Sequence, residues 1–192
     1  MKTLLCYTIT LFFLIDCYSQ EKLAYSFPFK DGKIMYTDVI QVDSTLKDEL
    51  YNRAKRWIID SFNSGKDVIQ LDNKETGEII TKGFFSAYLN VTSKYDQEVN
   101  VWQILRIQIK DTRFKYELYD FSLKYHVTNS SDVDSSLEEW ISNWNKVIAD
   151  KPKMTKSLIP GINTFLLSID PKVKNQISSL VLAMKTKNKE NW

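Results

Sequence analysis

Three groups of side chains in this sequence are of types that chemistry needs. The turn Asp72-Asn-Lys-Glu-Thr-Gly77 offers oxygens to a calcium ion. It lacks the alternating ligands and closing bidentate glutamate of an EF-hand loop, and Asp, Asn and Gly are residues that a β-turn itself selects. Asp132, Asp134, Glu138 and Glu139 could form a carboxylate cluster for a metal, yet acidic residues at a helix start complement its dipole without one. His126 is the single histidine and falls at a strand end, whereas a general base needs a placed acid-base partner. GxSxG, HExxH, P-loop and GxGxxG motifs are all missing, and five glycines leave little material for phosphate-cradling loops. A hydrolase would need two carboxylates that meet only in space. This inventory predicts no enzyme, no metal and no cofactor.

The elements that would position any site are organised around residues 98–126, which read as a long β-hairpin, EVNVWQILRIQIKDTRFKYELYDFSLKYH. Val99, Val101, Leu105, Ile107 and Ile109 alternate along one arm, and Phe114, Tyr116 and Leu118 along the other, which is the period of a half-buried strand. A two-residue loop at Asp111-Thr112 sets Lys110 opposite Arg113, so Ile109 faces Phe114, Ile107 faces Tyr116, Leu105 faces Leu118 and Arg106 faces Glu117. Farther from the turn the pattern inverts in both arms. Trp102 and Ile104 share a face with Tyr119, Phe121 and Leu123, while Gln103, Asp120 and Ser122 take the other. A bulge near Leu118 would account for the second arm alone. Trp102, Ile104, Tyr119 and Phe121 thus form a candidate interaction patch on the face opposite the first helix. Four large apolar residues together exceed what soluble monomers usually expose. The expected cover is the chain itself, through a helix over 137–148 or one starting at Pro171; a partner is the alternative.

Residues 1–20 carry one cation, Lys2, an apolar run over 3–15 and a polar end, Cys17-Tyr-Ser-Gln20. The run is too short to span a bilayer and reads as a secretory signal peptide cut near Gln20. Lipidation at Cys17 ranks second, because Asp16 stands where a small residue is needed. Both cysteines, Cys6 and Cys17, lie inside this segment, so the mature chain would have no thiol for disulfides, redox chemistry or zinc. It must be held by its core, and 43% hydrophobic with 13% aromatic residues can build one. The net charge of +2, from 26 basic and 24 acidic residues mixed along the chain, argues against nucleic acid as a partner.

The rest of the chain divides into a tether over 21–33, an α+β domain over 34–126 and a helical extension over 127–192 that packs on the sheet. A first strand runs over 34–42. Thr45 and Asp48 form a capping box for a helix whose one-sided stripe of Leu46, Leu50, Ala54, Trp57, Ile58 and Phe62 lies on a sheet; on that stripe Trp57 is core. Gly65 reads as the left-handed residue ending this helix. Strands follow over 68–71 and 78–91, with Gly83 marking a bulge or a close backbone approach. Ser135 and Glu138 form a second capping box for a helix with Leu137, Trp140, Ile141, Trp144 and Ile148 on its apolar face. Residues 164–169 form a short helical piece, and Asp170-Pro171 starts the last helix, with Val173, Ile177, Leu180, Val181 and Met184 inward.

Residues 36–42, the helical stretch Glu49-Leu-Tyr-Asn-Arg-Ala-Lys-Arg-Trp57, then Gly77-Glu-Ile-Ile-Thr-Lys-Gly83, and the hairpin motif Ile107-Gln-Ile-Lys-Asp-Thr-Arg-Phe-Lys-Tyr116 with Tyr119-Asp-Phe121 together resemble a bacterial exported family of unknown function with a TBP-like fold. The resemblance covers about residues 34–124, and Thr112 stands where that family's turn carries glycine. The elements read from the residues run β-α-β-β-β-β-α, helices packed on a twisted antiparallel sheet, with an added C-terminal helix; the resemblance implies a TBP-like architecture and an envelope location. It implies no activity.

Two functions fit these readings. The first is a monomeric, non-catalytic binding module, periplasmic, outer-membrane-associated or extracellular, that uses sheet-face aromatics against a protein, glycan or peptide. The second is a carrier of a small apolar ligand, in which a long helix closes over a curved sheet. A carrier needs small residues along the helix-sheet gap, whereas Trp57, Phe62, Phe114 and Tyr116 fill space.

Overall fold

The computed structural model describes residues 23–62, 65–92, 95–126 and 131–186, and the segment read as a signal peptide lies outside them. Six strands form one antiparallel sheet: β3 (Tyr36–Gln41), β4 (Ile69–Asn73), β5 (Glu78–Thr92), β6 (Tyr95–Lys110), β7 (Arg113–Tyr125) and β8 (Val133–Ser136). Their order is β3-β7-β6-β5-β4, with β8 pairing β7 beyond the end of β3. The main helices are α1 (Lys47–Ser61), α3 (Leu137–Asp150) and α5 (Ile159–Lys185), with single turns α2 (Gly65–Val68) and α4 (Pro152–Thr155) beside them. The fold is α+β, as the sequence implies.

The central hairpin has the expected register: Lys110 pairs with Arg113, Ile109 with Phe114, Ile107 with Tyr116, Arg106 with Glu117 and Leu105 with Leu118. The inversion beyond it is not found in the first arm. Val99, Val101, Gln103, Leu105, Ile107 and Ile109 are all buried, so β6 keeps one face throughout. Only β7 changes phase. Ile104 pairs with Tyr119 and Trp102 with Ser122, so Gln103 opposes two residues, Asp120 and Phe121. This is a β-bulge. Asp120 takes the left-handed conformation, φ 56°, which Asp tolerates better than most residues. The extra residue returns Phe121 and Leu123 to the face of Leu118, and it lets β7 pair with β3 on one side of the bulge and β8 on the other.

All three long helices lie on that face. Gln103 donates from Nε2 to Gln176 of α5, Trp57 Nε1 of α1 donates to Ser179 at 3.0 Å, and Trp140 Nε1 of α3 donates to the Tyr125 hydroxyl at 3.2 Å. Trp57 is core, as its stripe predicts. The helix ends differ from expectation by small shifts. Thr45 turns its hydroxyl to Asp43 O, so α1 begins after Leu46 with no capping box. The cap of α3 is Ser136, which accepts from Glu139 N at 3.2 Å, one residue later than predicted. Gly65 does not close α1 but opens α2. Gly83 is a close approach without a register shift: a Cβ there would lie 2.7 Å from the Phe62 ring.

Two larger corrections concern the ends of the chain. Residues 159–185 are one helix with Pro171 inside it, not two pieces. Proline removes one helical hydrogen bond, the one that would reach Leu167 O, and Leu167 is exposed, where water can replace the lost donor. The described part of the expected tether instead forms a small hairpin, β1 (Phe29–Lys30) with β2 (Lys33–Ile34), turned by Asp31 and Gly32 at φ 51° and 75°. Leu23 and Phe27 are buried, and Ile34 N donates to Glu138 at 2.8 Å, which docks the hairpin on α3.

Candidate functional site

With every long helix of the described residues on one side, the other face of the sheet is left open among them. Direct strand pairs define its members: Phe84 with Trp102, Lys82 with Ile104, Tyr88 with Glu98, Ile104 with Tyr119, and Arg106 with Glu117. Phe84 and Trp102 lie 4.8 Å apart with rings tilted 40°, and Lys124 Nζ sits 5.7 Å from the Trp102 ring centre, an attraction between cation and ring face. Phe84 is 48% exposed and Tyr88 58%, while Trp102, Ile104 and Tyr119 are half-buried by their neighbours.

The structure separates the four residues of the predicted patch. Trp102, Ile104 and Tyr119 share the open face, but Phe121 is 1% exposed beneath the helices, packed edge-on against Tyr36 at 5.9 Å. The predicted cover is also corrected. The helices over 137–150 and 159–185 do fold back on the sheet, but onto the face of Phe121 rather than that of Trp102. Sequence reasoning missed Phe84 and Tyr88. Their signal was present, since 84, 86 and 88 alternate with the buried Gly83, Ala87 and Leu89.

Toward the central hairpin turn the open face becomes charged. Arg106 Nε meets Glu78 at 2.5 Å and its Nη1 reaches Glu117 at 3.6 Å, while Lys115 meets Glu117 at 2.5 Å. The hydrogen bond that Arg106 donates to Glu78 holds the pKa of its guanidinium above the ordinary range. A groove of about 410 Å³ lies beside this ladder, lined by Val39, Glu78, Gln108, Lys110, Arg113 and Lys115 among others. Another, of about 530 Å³, runs between the N-terminal hairpin and α3.

The groups considered for chemistry are dispersed. Asp72 binds Lys55 and the Tyr51 hydroxyl, while Asn73 accepts from Thr76 N at 3.0 Å, so the acidic turn is used for structure. Lys55 and Tyr51 hold the Asp72 carboxyl below the usual carboxylate range. Asp134 pairs with Lys124 at 2.9 Å and Glu138 holds Ile34 N. His126 Nδ1 lies 2.6 Å from Asp132, both exposed. Among the described residues no three His, Cys, Asp or Glu side chains gather as a metal site, and no helix is long and apolar enough to cross a membrane. The helix-sheet interface is filled by Phe114, Phe121, Phe165, Leu118 and Ile58, each at most 1% exposed.

Known structures share this architecture. A TBP-like protein from Parabacteroides distasonis is 21% identical, with 84% of this chain and 98% of that chain covered at a TM-score of 0.55. A DUF4468 family protein from Bacteroides ovatus is 15% identical, with 86% and 94% covered at 0.58. At these identities the likeness is one of fold. No curated protein matches the sequence. The model of the family described as a domain of unknown function (DUF4468) with TBP-like fold matches residues 36–124, the stretch from the first sheet strand through the bulged arm of the hairpin. Over those residues the chain is similar to the DUF4468 family, a domain of unknown function, and it shares that family's TBP-like fold.

Proposed function

We propose that this chain is a non-catalytic interaction module of the cell envelope, exported by residues 1–20 and engaging a protein, glycan or peptide through the open face of its sheet. The observation that carries this reading is the Phe84-Trp102 pair, two large aromatic rings on a face that no helix of the described residues covers, with Phe84 48% exposed. Aromatic side chains that protrude from a rigid scaffold supply large contact area with little entropy to lose, which is why they anchor interfaces. The alternative of an apolar-ligand carrier is disfavoured by the filled helix-sheet interface.

The test of the interface is substitution on both sides of the molecule. Phe84→Asp or Trp102→Asp should abolish capture of the partner from envelope fractions while leaving the melting transition in place. Ile59→Asp, on the exposed side of α1, should retain it. Equal capture by all three variants would overturn the reading. Export rests on Lys2, the apolar run and the confinement of both cysteines to that segment. Mass spectrometry of the protein from its native cells should find the chain beginning near Glu21; an N-terminus retaining Met1 would refute it.

A further inference from the structure

The groove beside the hairpin turn carries an uncompensated positive charge. Lys110 and Arg113 pair directly across the hairpin, and like charges so placed repel. Both are exposed, and neither side chain has a hydrogen bond or ion pair among the described residues. Three nearby carboxylates already have partners. Asp111, between them in the turn, accepts from Lys47 N at 2.8 Å. Glu78 and Glu117 are held by Arg106 and Lys115. Neighbouring cations do have partners: Lys47 donates to Glu75 O at 2.6 Å and Lys74 meets Asp48 at 3.3 Å. Lys110 and Arg113 therefore stand as a free pair at the mouth of a groove whose wall includes the apolar Val39.

Building on the open-face reading, the geometry points to an acidic, extended polypeptide segment as the partner. Its carboxylates sit on Lys110 and Arg113, and a large apolar side chain reaches the Phe84-Trp102 pair. Both sites lie on one face of β6, from Lys110 to Trp102, which at about 3.3 Å per residue is roughly 26 Å, the span of some eight extended residues. A peptide suits this surface better than a polyanion does. Glu78, Glu98 and Glu117 share the face, so a phosphate on every nucleotide or a sulfate on every sugar would meet carboxylates, whereas a peptide confines its charge to one end. Arg113 adds a planar fork that matches a carboxylate.

The probe is a fluorescein-labelled peptide of four glutamates, four serines and a terminal phenylalanine, titrated against the full chain by anisotropy at low and at raised salt. It should bind, weaken with salt, and bind at least about tenfold more weakly to the Lys110→Glu/Arg113→Glu double variant. A peptide with lysines in place of the glutamates should gain affinity for that variant. Neither side chain makes a hydrogen bond or ion pair among the described residues, so the variant should melt as the parent does, and that is checked first. The proposal falls if the peptide does not bind, if the variant binds it unchanged, if a serine-for-glutamate peptide binds equally well, or if a sulfated oligosaccharide or an oligonucleotide of equal charge competes better than unlabelled peptide. Partner capture tells this failure apart from that of the open-face reading. If Phe84→Asp abolishes capture and the double variant does not, the face is an interface but its partner is not acidic at this end.

Discussion

The carboxylate of Asp111, at the tip of the central hairpin, accepts a hydrogen bond from the backbone N–H of Lys47 in the first turn of α1. The helix lacks a side-chain cap of its own, and the turn of a distant strand pair supplies it. Two backbone bonds complete the joint, Thr112 N to Thr45 O at 2.9 Å and Val42 N to Thr112 O at 2.8 Å. Replacing Asp111 with Ala should cost about 0.5–2 kcal/mol, the usual effect of losing an N-terminal cap. Asn should retain most of the stability. Urea unfolding of the two variants measures both.

Thr112 occupies that joint at φ 61°, a conformation that a β-branched residue reaches only with strain. Thr112→Gly should therefore raise the unfolding midpoint, by up to about 1 kcal/mol after the entropy of the more flexible unfolded chain is subtracted. A lower midpoint would mean that the threonine side chain stabilises the joint in a way its exposed position does not suggest.

Phe121 and Trp102 should behave oppositely. Phe121→Ala removes a fully buried ring beneath the helices and should cost about 3–5 kcal/mol. Trp102→Ala, on the open face, should cost much less and act on binding. Thermal melts of the pair distinguish this assignment from one in which both residues form a single surface patch.

Tyr36 sets an alkaline limit. Burial, and then the hydrogen bond of its hydroxyl to Asp170 at 2.7 Å, push its pKa well above the tyrosine range. The unfolded chain loses this proton near pH 10 while the folded chain keeps it, so stability is intact below about pH 10 and declines as pH rises beyond it. Tyr36→Phe should flatten the decline. Asp72 works at the other end. Its depressed pKa contributes stability that is present above the ordinary carboxylate range and lost as pH falls through the depressed value. Asp72→Asn should flatten the acid limb. Urea midpoints from pH 3 to 11 report both.

The hairpin register was legible because a two-residue turn and period-two alternation leave no freedom in pairing. The bulge was not. Trp102 and Ile104 are apolar residues on the open face of β6, and Gln103 is a polar residue on its covered face, held by Gln176. Polarity alone made that look like an inversion matching the one that Asp120 really produces in β7. Phe121 was therefore assigned to the wrong face, and Phe84 and Tyr88 went unread because the faces of β5 were not separated. At Pro171, tertiary contacts overrode a local signal: the buried Ile169 and Val173 and the Tyr36-Asp170 bond hold the helix through the proline. The Asp31-Gly32 turn, by contrast, was a hairpin signal sitting in a stretch read as tether.

The central claim is that the uncovered sheet face is where this protein meets its partner, and site-specific photocrosslinking in native cells tests it most directly. A photoreactive phenylalanine analogue is placed at Phe84 in one strain and at Ile59, exposed on α1, in another. A discrete adduct at Phe84, absent at Ile59 and lost when Trp102 is also replaced by Asp, is the predicted result. Adducts at Ile59 alone, or none at Phe84 with the protein correctly folded, would contradict it.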